Sequence, residues 1–226
     1  MASSSFRDLL PEGVLDETLE QALTHRSMTP QNNERLEFLG DAVLGLVIAD
    51  ALYQRLPQAK EGDLTRMRAT LVNRESLADL ARAEGIEGHV NLGDGERKSG
   101  GQRRASILAD ALEAVIGVCY AQAGFAAARQ FVLAVYAERL AHLPSMDSLK
   151  DPKTRLQEWL QGRGEGLPEY RLLGTVGPDH QREFEVEVWL TERSWGMRAQ
   201  GASRRRAEQA AAELAMSRLQ EEHSRR

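Results

Sequence analysis

The chain is poor in cysteine, in long apolar runs and in net positive charge, and each shortage excludes something. Cys119 is the one cysteine among 226 residues. It sits within an apolar stretch and reads as a small buried residue of a reducing compartment rather than as a nucleophile. No run approaches the roughly 18 consecutive apolar residues of a membrane span, so no membrane partner is expected. The opening Met1-Ala2-Ser3-Ser4-Ser5-Phe6-Arg7-Asp8 lacks the basic start and apolar centre of a secretory signal, and a cytoplasmic location is expected. The formal charge is −5, with 15 Lys and Arg against 20 Asp and Glu in residues 1–146 and 14 of each in residues 147–226. The acidic surplus therefore lies wholly in the first part. Any affinity for a polyanion has to come from local clusters rather than from the net charge.

Two stretches organise what is there. Asn33-Glu34-Arg35-Leu36-Glu37-Phe38-Leu39-Gly40-Asp41-Ala42-Val43-Leu44 reads as the start of a helix that runs on to Ala49. Beyond Asp41 it is apolar on nearly every face, the pattern of a buried helix. Glu34, Glu37 and Asp41 nevertheless share one stripe at i, i+3 and i+7. The second stretch, Ser106-Ile107-Leu108-Ala109-Asp110-Ala111-Leu112-Glu113-Ala114-Val115-Ile116-Gly117-Val118, is again an apolar helix, with Asp110 and Glu113 at i and i+3. An unpaired buried carboxylate costs on the order of several kcal/mol, so something positive must face these acids. Arg35, Arg66 or Arg68 would do so in plain salt bridges. Two carboxylate pairs on two apolar helices, without Cys or His, favour a hard divalent cation such as Mg²⁺ or Mn²⁺, the usual agent of phosphoryl-transfer chemistry.

Residues 33–44 resemble the signature of the ribonuclease III family nearly word for word. Gly95-Glu96, Gly100-Gly101-Gln102 and Arg104-Ala105-Ser106-Ile107-Leu108-Ala109-Asp110, with Glu113, resemble its second block, and the order of the parts is that of the short bacterial enzymes. The resemblance implies a metal-dependent endonuclease that cuts both strands of duplex RNA as a homodimer, leaving 5′-phosphate and 3′-hydroxyl ends. It implies one or two Mg²⁺ per subunit on Glu37, Asp41, Asp110 and Glu113, with Asp41 and Glu113 the catalytic pair. Glu34 and Glu61 are secondary candidates, and processing of ribosomal RNA precursors is the implied task. A protein that binds duplex RNA without cutting it is the alternative, marked by loss of these acids.

Along the rest of the first part, residues 6–27 read as short helices ending in Thr24-His25-Arg26-Ser27, a segment that family members share. His25, following an apolar stripe, reads as a packing histidine. Asn33 is placed near the N-cap of the signature helix and Asp63 at the N-cap of a helix that follows. Gly93 to Gly101 is glycine-rich, but it lacks a Gly-Lys-Ser/Thr ending and reads as a loop rather than a nucleotide site. Arg103 and Arg104 beyond it read either as phosphate contacts or as plainly solvated side chains. Ala121 to Leu140 reads as a helix with Phe125, Ala128, Phe131, Val132 and Val135 as its buried stripe. No strand is expected before about residue 145.

The periodicity then changes. Asp151 to Leu160 reads as a short helix with Pro near its start. Strands follow at Tyr170–Val176, Phe184–Leu190 and Ser194–Gln200, the second alternating with period two, then an alanine-rich helix over Ser203–Leu219. The order resembles the double-stranded-RNA-binding domain. By that resemblance Gln157, Glu158, Pro178 and His180 face minor grooves, while Arg204, Arg205 and Arg206 grip phosphates at a helix N-terminus. Arginines replace the family's frequent lysines, and Ala199-Gln200-Gly201-Ala202 has fewer glycines than usual.

The fold class expected is thus an all-α endonuclease domain followed by a small α+β (α-β-β-β-α) double-stranded-RNA-binding domain. The expected boundaries are residues 1–145 for the first domain, 146–150 for a linker, 151–222 for the second domain and 223–226 for a tail.

Overall fold

The structure, a computed structural model, describes residues 6–178 and 182–224. The chain divides into two compact units, Met1–Pro144 and Ser145–Arg226.

The first unit is helical. Its α-helices are α1 (Phe6–Leu9), α2 (Asp16–Ala22), α3 (Glu34–Arg55), α4 (Glu61–Leu71), α5 (Arg74–Ala83), α6 (Asp94–Lys98), α7 (Ala105–Val135) and α8 (Ala137–Ala141). Outside the helices, an isolated bridge joins Thr24 and Asn91. The core is built on α7, against which α3 and α5 pack. Ile107, Leu108, Ala109, Leu112, Ala114, Ile116 and Gly117 are all buried, which takes in every side of the helix.

By length and composition alone α7 would cross a membrane, since its best 18-residue window has a mean hydropathy of 1.4. Asp110, Glu113, Gln122 and Arg129 interrupt it, so it holds no run of 18 consecutive apolar residues. Half of the window is buried within the protein, so its apolar surface is used as core. The helix is also not continuous: Gly124 breaks it at φ 80° and ψ 176°, a conformation that favours glycine.

Two glycines let α3 and α7 meet. A Cβ on Gly40 would overlap the Glu113 carbonyl, and a Cβ on Gly117 would overlap the Leu36 carbonyl. The backbones therefore touch where the acids lie, and neither position has room for even an alanine.

Asn33 is the N-cap residue of α3 as expected, although its side chain makes no capping bond and Asn32 Oδ1 accepts from the Glu34 N–H at 3.0 Å. Other local expectations need correction. Asp63 lies inside α4, which starts two residues earlier with Lys60 before it, and its carboxylate pairs with Arg66 at 2.7 Å. The glycine-rich loop contains α6. Phe125, next to the Gly124 break, is 41% exposed and leaves the buried stripe of Ala128, Phe131, Val132 and Val135. The signature helix is not buried all round either: Phe38, Leu46 and Tyr53 are 80%, 58% and 73% exposed.

The second unit is α9 (Pro152–Gln161), β1 (Glu169–Val176), β2 (Glu183–Leu190), β3 (Trp195–Gly201) and α10 (Arg204–Ser224). The strands form an antiparallel sheet in the order β1-β2-β3, with a register shift between Leu172 and Gly174. Alternation along β2 turns Val186, Val188 and Leu190 inward. The last two pack with Leu156 and Leu160 of α9 and with Ala211, Ala215, Met216 and Leu219 of α10. Asp151 caps α9 by accepting from the Lys153 N–H at 2.9 Å, with Pro152 in the first turn. Helix α10 runs five residues beyond the expected Leu219, and there Glu222 pairs with Arg193 at 3.1 Å. Gly201 is the glycine this connection needs, because a Cβ there would stand 2.6 Å from the Ala207 nitrogen.

Candidate active site

The glycine contact sets the site. With α3 and α7 touching at Gly40 and Gly117, Glu37 on one helix faces Asp110 and Glu113 on the other. Each offers a carboxylate oxygen, and the three oxygens lie within 4.8 Å of one another. All three side chains are partly buried. Among the described residues, no Lys or Arg forms an ion pair with any of them. The arginines proposed to neutralise the acids do not reach: Arg66 is engaged with Asp63, and Arg35 and Arg68 make no ion pair with them.

Electrostatics follow from that crowding. Burial first, then the charges of Asp41, Glu37 and Asp110, push the Glu113 carboxyl up to about 8. Burial also raises Glu37, helped by Asp110 and Glu34. It raises Asp110 as well, against the opposing charges of Arg74, His25 and Arg26. Like charges held together without a counter-ion are the condition a divalent cation relieves. The donor set, three carboxylates and no nitrogen or sulfur, fits a hard cation.

Asp41 stands apart from this triad. It is exposed, outside the group of three, and lines the same cleft of about 370 Å³ as Glu37, Asp110 and Glu113. Glu34 is exposed and loosely paired with Arg26 at 3.4 Å, at the edge of a neighbouring cleft of about 500 Å³ that also reaches Glu37 and Asp110. Glu61 lies elsewhere in this chain. It accepts from Thr65 Oγ1 at 2.8 Å and lines a mostly apolar cleft of about 640 Å³ with Leu46 and Tyr53.

The structure brings further residues to the acids. His25 and Arg26 line the cleft beside Glu37 and Asp110; His25 Nδ1 lies 2.9 Å from Ser27 Oγ, which accepts from the Gly93 N–H. Arg104 lines it too, paired with Glu96 at 2.7 Å. Arg74, at the start of α5, lies on the wall of the carboxylate cleft. Nothing in the local sequence marks Arg74, because its neighbours there come from α3 and α7.

On the second unit, Gln157 and Glu158 are exposed on α9, and Lys150 holds Glu158 at 2.5 Å. Pro178 is exposed; Asp179 and His180 lie outside the described residues. Arg204, Arg205 and Arg206 are all exposed at the start of α10 but differ in freedom. Arg204 pairs with Glu208 at 2.9 Å, and Arg205 stands 3.9 Å from Asp151. Arg206 has no ion pair among the described residues.

The two units thus join a helical domain with a carboxylate cleft to an α-β-β-β-α domain with a basic helix start. The class they define is a nuclease domain carrying a double-stranded-RNA-binding domain. Residues 16–140 match the ribonuclease-III-like family model, and residues 152–219 match the double-stranded RNA binding motif. The chain is 50% identical over 209 residues to ribonuclease 3 of Alkalilimnicola ehrlichii, covering 92% of each chain. It is 52% identical over 204 residues to that of Vibrio vulnificus, covering 90% of this chain and 91% of the other. A solved nuclease domain of ribonuclease III from Campylobacter jejuni, described for flexibility in a region involved in dimer formation, is 39% identical. It matches with a TM-score of 0.58 over 60% of this chain and 96% of its own. The chain belongs to the ribonuclease III family. It is an endoribonuclease of double-stranded RNA, and the family together with the acidic cluster indicates a divalent metal.

Proposed function

We propose that the chain cuts duplex RNA as a Mg²⁺-dependent homodimer, Mn²⁺ substituting, with 5′-phosphate and 3′-hydroxyl products. The observation that carries this reading is the meeting of Glu37, Asp110 and Glu113 with no cation among the described residues paired to them. These three hold the cation, and Asp41 completes the set from the solvent side of the cleft, with one or two cations per subunit. When bound, the cation supplies an acidified water for in-line attack on phosphorus and neutralises the leaving oxygen. The chain's own residues position it: Asp110 and Glu113 share one helical face, and the Gly40–Gly117 contact holds Glu37 against them. Asp41 and Glu113 carry the activity most heavily, and Glu34 and Glu61 act from further out.

The homodimer reading rests on α3. Phe38, Leu46 and Tyr53 fall within about a quarter turn of one another on that helix and are all largely exposed. An exposed apolar stripe of this kind marks an interaction surface, and it adjoins the cleft that holds Glu61. The twofold-related strands of a duplex suit a twofold-related pair of cutting sites. Gln157, Glu158, Pro178 and His180 meet the minor grooves, and Arg204 to Arg206 meet the phosphates between them. The setting is the cytoplasm, and precursors of ribosomal RNA are among the substrates. Residues 1–145 and 151–222 serve as the two working domains, joined by 146–150 and followed by a tail at 223–226.

The test is incubation of the purified protein with duplex and with single-stranded RNA, each with Mg²⁺ or EDTA. Cutting confined to duplex with Mg²⁺ is expected. Tight duplex binding without cutting would leave the non-cleaving reading, which the presence of all four acids disfavours.

A further inference from the structure

The carboxylate cleft has Arg74 as its cation among the described residues that line it. Glu37, Asp41, Asp110 and Glu113 stand on the same walls. Arg74 is exposed and, among the described residues, its side chain forms neither an ion pair nor a hydrogen bond. Arg66, Arg82, Arg104 and Arg129 of this unit are paired with Asp63, Asp79, Glu96 and Asp50, whereas Arg35, Arg55, Arg68 and Arg103, which like Arg74 have no ion pair among the described residues, do not line this cleft. Arg74 is close enough to Asp110 for its charge to act on that carboxyl, yet no bond ties the two.

Its position runs against local preference. Arg74 is the first residue of α5, after the N-cap Asn73, whose side chain accepts from the Ser76 N–H. A cation in the first turn is disfavoured by the positive end of the helix dipole. Guanidinium and dipole together place positive potential on a wall of an otherwise acidic cleft. Departures from local rules of this kind collect at functional sites.

The acidic cleft repels the substrate it has to accept, because each phosphodiester of RNA carries a negative charge. We infer that Arg74 is an RNA-contacting residue, its guanidinium donating paired N–H bonds to a phosphate of the strand being cut and drawing that phosphate toward Glu37, Asp110 and Glu113. The inference rests on the endonuclease reading. Paired donation to phosphate oxygens is what a guanidinium does better than an ammonium.

The experiment compares the full-length protein with Arg74→Ala, Arg74→Gln and Arg74→Lys on a labelled RNA duplex in Mg²⁺ at several salt concentrations. It also titrates Mg²⁺ into each RNA-free protein by calorimetry. Arg74→Ala is expected to lower kcat/KM by roughly ten- to a hundredfold, the effect of losing a charge-assisted hydrogen bond, mainly through KM. The salt slope of kcat/KM should fall by about one. Arg74→Lys should restore the slope but only part of kcat/KM. Arg74→Gln removes the charge while keeping part of the methylene stem and a polar end, and decides the matter if the alanine variant misfolds. Wild-type KM and salt slope in a folded uncharged variant, with only tighter Mg²⁺ binding, would overturn the inference and leave Arg74 as a neutraliser of the acids. A wild-type protein that does not cut duplex would instead refute the endonuclease reading itself.

Discussion

Gly40 of α3 lies directly against the carbonyl of Glu113 on α7, with no room for a Cβ between them. The same contact that closes the helix pair places Glu37, one turn earlier, opposite Asp110 and Glu113. Packing and chemistry therefore depend on one missing methyl group.

Gly40→Ala should force α3 and α7 apart. Overpacking of this kind costs about 1–3 kcal/mol, visible as a lower unfolding temperature. Mg²⁺ affinity and cleavage should drop together, while duplex binding by the second unit persists. An alanine variant with native Mg²⁺ affinity would show that the contact does not set the carboxylate spacing.

Glu113→Ala should abolish cleavage and leave duplex binding nearly intact, because the proposed groove and phosphate contacts, Arg74 apart, lie in a separate unit. Electrophoretic mobility and cleavage assays on one preparation check this. If the folded variant lost binding along with activity, the division of labour between the two units would be wrong.

The Glu113 carboxyl, pushed up to about 8 by burial and three neighbouring carboxylates, makes the metal-free protein pH-sensitive. The unfolded chain ionises this group near 4.5, while the folded chain keeps its proton to about 8. Between those values the folded state binds more protons, so stability falls as pH rises. Unfolding temperatures in EDTA should drop across that window, and Glu113→Gln should flatten the drop. Mg²⁺ needs the ionised form, so it should stabilise more at pH 8 than at pH 6. A flat EDTA profile for the wild type would contradict the burial of this charge.

The three arginines that open α10 should not be equivalent. Arg206 has no ion pair among the described residues, and its replacement by alanine should lower the salt slope of duplex binding by roughly one. Arg204 is held by Glu208 at 2.9 Å, so its loss should change the slope less. Equal slopes for the two variants would mean that RNA takes Arg204 away from Glu208.

Leu46→Asp together with Tyr53→Asp should turn the proposed homodimer into a monomer, because both side chains are exposed on α3 at 58% and 73%. Sedimentation gives the mass directly. A double variant that stays dimeric would move the interface off this face.

What could be read along the chain was whatever depends on near neighbours in sequence. Glu37 and Asp41, like Asp110 and Glu113, share helical stripes because the α-helix repeats every 3.6 residues. The period-two alternation of residues 184–190 likewise announced β2. Caps were less legible: Asn33 and Asp63 are common capping types, but Asn32 took the bond for α3 and Arg66 took Asp63.

Other features belong to distances between elements, which no local pattern encodes. A run of apolar residues says that α3 avoids water, but not that Phe38, Leu46 and Tyr53 would stay outside the monomer's core. Arg74 looks like any surface arginine until α5 is laid beside α3 and α7. The sequence by itself placed Glu34, Glu37 and Asp41 on one helical stripe and Asp110 with Glu113 on another, and separated a helical part from an α-β-β-β-α part, through helical and strand periodicity; the choice of four acids among them came from the family resemblance. Only the tertiary structure decided which acids meet, that Asp41 stays on the solvent side and that no protein cation among the described residues pairs with the triad. Carboxylates interact through space and through the burial that packing imposes, and the Gly40–Gly117 crossing sets both.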